Sequence, residues 1–270
     1  MTDVEFSASH FLVLVLGALL SVGGSRASYA QSGSAVKTVH DTVALAPTGV
    51  LEVENQKGRI SVTTWDRAAV GYEVRIVSPE GDDSTPLTAL DVTHEETRLA
   101  LGPDFPWRIK IPGVITVSPG GAERPRLQYT ITMPRSARLR IDDYTSTISI
   151  TGVEGGVQLD TYTGSVQGTG LRGELDLGTY TGSVQVGVAS LSAPVKVDTY
   201  TGTVHLTLPP DAGFALETDL RDGDQLTVEG PWTLPAPTDG NYEGAVNGGG
   251  PPLSIEVFTG AVTLRASDGP

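Results

Sequence analysis

The sequence predicts an all-β fold, a β-solenoid whose coils of 18–20 residues stack one on the next, and three observations lead there. One segment recurs without gaps as RIDDYTSTISI (140–150), QLDTYTGSVQG (158–168), DLGTYTGSVQV (176–186), KVDTYTGTVHL (196–206) and SIEVFTGAVTL (254–264). Its aromatic residues, Tyr144, Tyr162, Tyr180, Tyr200 and Phe258, follow at steps of 18, 18, 20 and 58 residues, and short periods of this size mark stacked supersecondary units. Within each copy, apolar and polar residues alternate at the period of two that a strand imposes. No stretch shows a sustained helical period, and 33 glycines and 18 prolines supply turns instead.

Taken in order, the chain opens with an apolar run of 12 residues, FLVLVLGALLSV (11–22), short of the roughly 20 that a helix needs to cross a hydrocarbon layer. It reads as the core of a signal peptide. Ser28-Tyr29-Ala30 places small residues at −3 and −1 of a cleavage site, so 1–30 is assigned as signal peptide. Residues 31–270 are then one β-repeat domain with no transmembrane span in the mature chain. The leading ten residues carry Asp3 and Glu5 and no Lys or Arg, a departure from the positively charged start of most export signals.

Leu51, Val53 and Asn55, a Gly58 corner, then Ile60 and Val62 fit the repeat template, with Gln56 in the aromatic place. Val70, Tyr72, Val74 and Ile76 alternate as a strand. Residues 103–127, rich in Pro and Gly, are expected to form a long loop. Regular repeats span 139–264. Between the fourth and last copies, Phe214, Leu216 and Thr218 fit before Asp219, and Leu226 and Val228 after it, if the corner at Leu220 to Gln225 holds three extra residues. A second long loop, 230–252, ends in NGGGPP.

Column by column, the copies say which side chains point inward. Leu139, Val157, Leu175, Val195 and Leu253 stand five places before the aromatic, and Ile141, Leu159, Leu177, Val197 and Ile255 three before. Ile148, Val166, Val184, Val204 and Val262 follow it. The interleaved columns are polar and of mixed sign, and the aromatic column shares their wet face. A β-branched Thr resists the positive φ of a tight hairpin, whereas Gly at the second central place suits a type II turn, so each Thr-Gly reads as a solenoid corner. A β-roll or sandwich of hairpins is the alternative.

Composition narrows the function. The 270 residues hold 18 Lys+Arg against 32 Asp+Glu, for a formal charge of −14, and no Cys. Disulfides, thiolate metal sites and cysteine nucleophiles are excluded. Nucleic acid is a poor partner for such an acidic chain, because phosphate binding relies on Lys and Arg.

The first rung LEVENQKGRISVTTWD (51–66), the segment YTITMPRSARLRIDDYTSTISITGVEG (129–155), the TYTGSVQ repeats and the closing GGGPPLSIEVFTGAVTL (248–264) resemble the bacterial β-strand-repeat family known as putative adhesins, a domain of unknown function. The similarity runs from about residue 36 to 266. It implies an exported, all-β, solenoid-like protein with no established catalytic residues. The family more commonly has a polar or small residue in the aromatic column, so Tyr there is this chain's distinctive surface feature.

Candidate sites follow from the columns. Tyr144, Tyr162, Tyr180 and Tyr200 form an exposed ladder that either stabilises the stack or offers an aromatic strip to sugar rings or a partner strand. Asp142, Asp160 and Asp198, with Asp143 beside them, form an acidic column screened by Arg140 and Lys196, whose repulsion a cation would relieve. Asp219, Asp222 and Asp224, around Gly223, group carboxylates as calcium prefers, without the full 12-residue loop pattern; a polar loop is the other reading. The mature histidines His40, His94 and His205 are not at metal-ligand spacing, and no nucleophile elbow or phosphate loop occurs.

The expectation is a non-enzymatic exported structural or binding protein, without cofactor, placed in the periplasm, at the cell surface or in the medium. Its ladder would face an envelope glycan or protein. One alternative is a cell-envelope accessory protein that self-associates through its solenoid ends, where strand edges are unpaired. Another is a carbohydrate-active enzyme using Asp160, Asp198 and Lys196.

Overall fold

The computed structural model describes residues 36–77, 89–104, 125–221 and 226–268, all within the unit Ser34–Pro270. The signal-peptide assignment lies outside the described residues. Among them there is no helix. The strands are β1 (Val36–Ala44), β2 (Val50–Trp65), β3 (Ala69–Val77), β4 (Ala89–Glu95), β5 (Arg98–Asp104), β6 (Arg126–Pro134) and β7 (Arg138–Thr151). They continue as β8 (Val157–Leu171), β9 (Leu175–Val188), β10 (Val195–Leu208), β11 (Phe214–Leu220), β12 (Leu226–Glu229), β13 (Glu243–Val246) and β14 (Pro252–Ala266).

Six long strands make the body. β2, β7, β8, β9, β10 and β14 lie side by side in that order, parallel and in register. Leu51 pairs with Leu139, Leu139 with Val157, Val157 with Leu175, Leu175 with Val195 and Val195 with Leu253. Aligned letters are therefore spatial neighbours. Hairpins do not join the repeats: among the described residues, antiparallel strand pairs occur only beyond β2 and β14, toward the two ends of the stack.

Each rung bends because its buried residues change parity. In β8, Val157, Leu159 and Thr161 are buried, then Val166 and Gly168, so five positions separate the two series at Thr161 and Val166. A flat strand would turn its second half outward, whereas a bend across Tyr162 to Ser165 keeps both halves on one core. The same step separates Asn55 from Ile60 and Thr199 from Val204.

The Thr-Gly pairs differ from the expected type II turns. Each strand runs through them without interruption, and glycine is needed because the backbones approach closely. A Cβ on Gly182 would overlap the carbonyl of Gly164, one on Gly202 that of Gly182, and one on Gly260 that of Gly202. Gly168, which falls in an apolar column, is covered by Leu171, whose Cδ1 lies 2.8 Å from where a Cβ would stand.

At both ends the two halves of the rung continue separately. The first half of β2 pairs with β5 and through it with β4, while the second half pairs with β6, then β3, then β1. Val70, Tyr72, Val74 and Ile76 face the core here, as their alternation predicts. At the other end the first half of β14 pairs with β11, which pairs with β13, and its second half pairs with β12. Buried Trp232 lies edge-on to Phe214 at 6.0 Å and covers the core at that end.

Three expectations are corrected here. β14, the last copy in sequence, sits between β10 and the β11/β12 rung, so stacking order is not chain order. That rung is also shifted by two residues: Leu216 and Thr218 pair with Leu253 and Ile255, so Asp219 joins the acidic column beside Glu256 and Arg221 takes the aromatic place. Its corner is then one residue longer than in the other rungs, not three. Finally, the stretch 230–252 contains β13 as well as loop, because Asn241 Oδ1 accepts from Leu220 N–H at 2.6 Å and Thr218 Oγ1 from Tyr242 N–H at 2.9 Å. Of 103–127, the first two residues end β5 and the last two begin β6, while 105–124 lie outside the described residues.

Candidate functional site

The four tyrosines come together as one column. Centroids of Tyr144, Tyr162, Tyr180, Tyr200 and Phe258 are 5.0, 4.8, 4.8 and 4.6 Å apart in turn, with interplanar angles of 1°, 5°, 2° and 7°. This is the sheet's own spacing, imposed by parallel in-register pairing. Gln56 occupies the same column beyond Tyr144, and the Arg221 guanidinium lies 5.0 Å from the Phe258 centroid at the far end. The rings are 40–54 % exposed. Since each internal ring has a neighbour over both faces, solvent meets ring edges and phenol hydroxyls. A sugar cannot lie flat on Tyr162, Tyr180 or Tyr200 without unstacking them.

Two positions before the rings, on the same outer face, runs a column of carboxylates. In stacking order it is Glu54, Asp142, Asp160, Gly178, Asp198, Glu256 and Asp219. With the rings it borders a shallow groove of about 640 Å³. Lys196 Nζ lies 2.7 Å from Asp198, which raises the lysine's pKa, while Arg140 is engaged by Gln158 Oε1 at 2.7 Å. The Asp160 carboxylate leans over Gly178, its Oδ1 2.6 Å from where a Cβ would stand. Burial, then the nearby Asp176 charge, raises the Asp160 pKa from its ordinary value.

Beneath the rings lies a polar row, of which the sequence placed Asn55 inward but set Asp143 beside the surface acids. Asn55, Asp143, Thr161, Thr179 and Thr199 occupy the inward position just before the aromatic place and are all buried. Asp143 Oδ1 accepts from Ser146 Oγ at 2.5 Å and Oδ2 from Thr161 Oγ1 at 3.0 Å, while Asn55 Nδ2 donates to Ser146 Oγ at 2.8 Å. Burial raises the Asp143 pKa against the opposing pull of these hydrogen bonds. Thr179 Oγ1 and Thr199 Oγ1 have no hydrogen-bond partner among the described residues. Strand parity marks Asp143 as inward, and that was the available signal.

Of the proposed corner cluster, Asp219 alone is among the described residues. Asp219 belongs to β11 and the carboxylate column, while Asp222 and Asp224 lie outside the described residues. No group of three or more His, Asp or Glu there is placed to hold a metal ion. His94 Nε2 lies 2.7 Å from the Ala44 carbonyl, His205 sits between Gln185 and Thr263 on the outer face, and His40 is on the edge strand β1. No helix among the described residues is long and apolar enough to cross a membrane.

No family model matches the chain, and no curated protein does. Among solved structures it is similar to a putative cell adhesion protein from Clostridium sporogenes, at 12% identity over 86% of this chain and 100% of that one, with a TM-score of 0.45. It is also similar to a putative adhesin from Bacteroides fragilis, at 10% identity over 86% and 97% with a TM-score of 0.29, and to a putative lipid binding protein from Parabacteroides distasonis, at 10% over 85% and 96% with a TM-score of 0.26. At these identities and TM-scores the likenesses bear on neither ligand nor activity.

Proposed function

We propose that the protein is a non-enzymatic, exported binding module of the adhesin type, one β-solenoid domain over 31–270, whose contact surface is the tyrosine ladder with the carboxylate column beside it. The ladder carries this reading: five rings stand in one exposed row, and contiguous apolar surface of this kind marks contact sites. Export rests on the apolar run at 11–22 and the small residues before position 31.

The connections support the solenoid. Only three residues, 172–174, separate β8 from β9, which run parallel and in register. A straight strand of β8's length would extend about 50 Å at 3.3 Å per residue, and three residues bridge only about 14 Å. A β8 that curls until its end nears its start, as in a coil, meets that short link, which favours the solenoid reading.

The occupied ring faces favour a partner that meets edges, hydroxyls and carboxylates with hydrogen-bonding and cationic groups. A basic protein segment suits that surface better than a sugar stacked on a ring. Immobilised mature protein, offered a panel of glycans and of basic and acidic proteins, identifies the class. Tyr162→Ser with Tyr180→Ser should remove binding while circular dichroism is preserved, and Asp160→Asn with Asp198→Asn should weaken it at least tenfold. Binding that survives both pairs, or wild-type protein that binds nothing on the panel, overturns the reading.

Assembly through the stack ends is a second reading, favoured by β1, a nine-residue strand paired, among the described residues, on one side only, with β3. Unchanged size across a concentration series rules it out.

A further inference from the structure

Whatever the strip binds, the ladder has a covalent chemistry of its own. We infer that Tyr144, Tyr162, Tyr180 and Tyr200 form a site of oxidative phenol coupling, at which neighbouring rungs become joined by dityrosine bonds. Each pair is held at 4.8–5.0 Å with rings parallel within 5°, so two phenols are neighbours before any oxidation occurs. All four are 45–54 % exposed and open to a diffusing oxidant.

Among the described residues the other phenols offer little competition. Tyr72 and Tyr129 are buried, and Tyr242 is half-buried against the core. There is no cysteine to quench a phenoxyl radical, and Met133 is fully buried. The same lack of cysteine leaves the stack without disulfides, so a ring-to-ring bond would supply the covalent tie between rungs. Phe258 cannot take part, because it has no hydroxyl, and it bounds the site on one side.

The balance is that of peroxide-driven coupling. A peroxidase-class oxidant takes one electron from each of two adjacent phenols, and each hydroxyl releases its proton to water. The two phenoxyl radicals join through ring carbons ortho to oxygen, forming one carbon–carbon bond. Each joined carbon then gives up its hydrogen as a proton while its ring oxygen regains one, restoring two phenols. In sum one hydrogen peroxide becomes two waters, and the chain loses two hydrogens. The bond closes an 18-residue loop for Tyr144–Tyr162 or Tyr162–Tyr180 and a 20-residue loop for Tyr180–Tyr200.

The test treats the full chain, dilute enough that copies seldom meet, with a peroxidase and hydrogen peroxide. The expected product is a chain of unchanged size with dityrosine fluorescence. Trypsin should release coupling within 141–172 and links joining 173–196 to 141–172 or to 197–221. Tyr180→Phe, which preserves the stack, should abolish both links to 173–196 and leave the Tyr144–Tyr162 bond. Unfolding in guanidinium before oxidation should lower the yield of these bonds at least tenfold. Coupling found only between copies, equal coupling at Tyr72, Tyr129 or Tyr242, or no loss on unfolding would overturn the inference.

Discussion

Alanine at Gly202 tests directly whether backbone approach sets the rung spacing. The added Cβ would lie more than 1 Å inside the 3.0 Å that real Cβ atoms keep, and it would meet the Gly182 backbone rather than a side chain able to swing aside. Gly202 is not among the positive-φ glycines, so backbone strain adds nothing to this clash. Relief requires prying β10 from β9 at the bend, which strips two flanking ladder hydrogen bonds at about 1 kcal/mol each. Displacement of the packed columns on either side adds about 1–3 kcal/mol. The expected loss is thus about 3–5 kcal/mol, a large share of the roughly 5–15 kcal/mol that holds a domain folded. Guanidinium unfolding followed by circular dichroism reads it as a lower midpoint at unchanged slope. Two controls separate the causes. Gly170→Ala, at φ 66 with nothing within 4 Å, should lose about 1–2 kcal/mol from conformation alone. Gly187→Ala, whose nearest atom is 3.8 Å away, should be neutral or gain up to about 1 kcal/mol. If Gly202→Ala unfolds within 1 kcal/mol of Gly187→Ala, close approach is not what demands glycine in this column.

Tyr180→Ala removes two ring contacts and should lose about 1–3 kcal/mol by denaturant titration, whereas Tyr180→Phe should stay within about 0.5 kcal/mol. Deleting Pro252–Ala266 removes an interior rung and orphans β11 and β12, so it should abolish cooperative unfolding, while deleting β1 should lower the midpoint only modestly. Asp143 and Asp160 have raised folded pKa values, so the fold binds their protons more tightly than the unfolded chain does. Their contribution is full below the ordinary carboxylate pKa of about 4 and is lost as pH rises through the raised values. Glu52, lowered by its hydrogen bond to Arg98, acts oppositely and loses its contribution as pH falls through its folded value. Denaturation midpoints between pH 3 and 7 should therefore fall less steeply with rising pH in Asp143→Asn than in wild type.

The register of the rungs was legible because parallel pairing sets like on like: Leu51 to Val62 and each TYTG copy stand where the columns align them. Stacking order was not, since equivalent copies carry no mark of which neighbour they choose, and β14 takes the place beside β10 that adjacency in sequence assigned to Phe214–Leu220. The two-residue shift of that rung has a local cause. Thr218 before Asp219 imitates the Thr that precedes Tyr162, Tyr180 and Tyr200, while the true counterpart, Leu220 before Arg221, lacks both letters. Residue type likewise misplaced Asp143, where an acid suggests water and parity puts it inside. The ladder's composition was readable, but coverage of its ring faces follows from interplanar angle, which no alignment contains.

The change of parity at the bend also divides the outer surface by chemistry, and the division bears on purpose. Beyond the bend the outward columns are Arg59, Thr147, Ser165, Ser183, Thr203 and Ala261, then Ser61, Ser149, Gln167, Gln185, His205 and Thr263, mostly hydroxyls and amides. Hydroxyls and amides stack on their own kind without penalty, so this is the surface that stability alone selects in a parallel register. Before the bend the same register stacks carboxylate on carboxylate, each adjacent pair opposing the fold by on the order of 1 kcal/mol in water, less with salt. Lys196 offsets part of that repulsion and Gly178 interrupts it, yet Glu256 and Asp219 remain paired rung to rung at the Arg221 end. A cationic partner beside the exposed rings would turn that repulsion into attraction, which supports the proposed reading of the acidic edge and the tyrosine row as one contact surface.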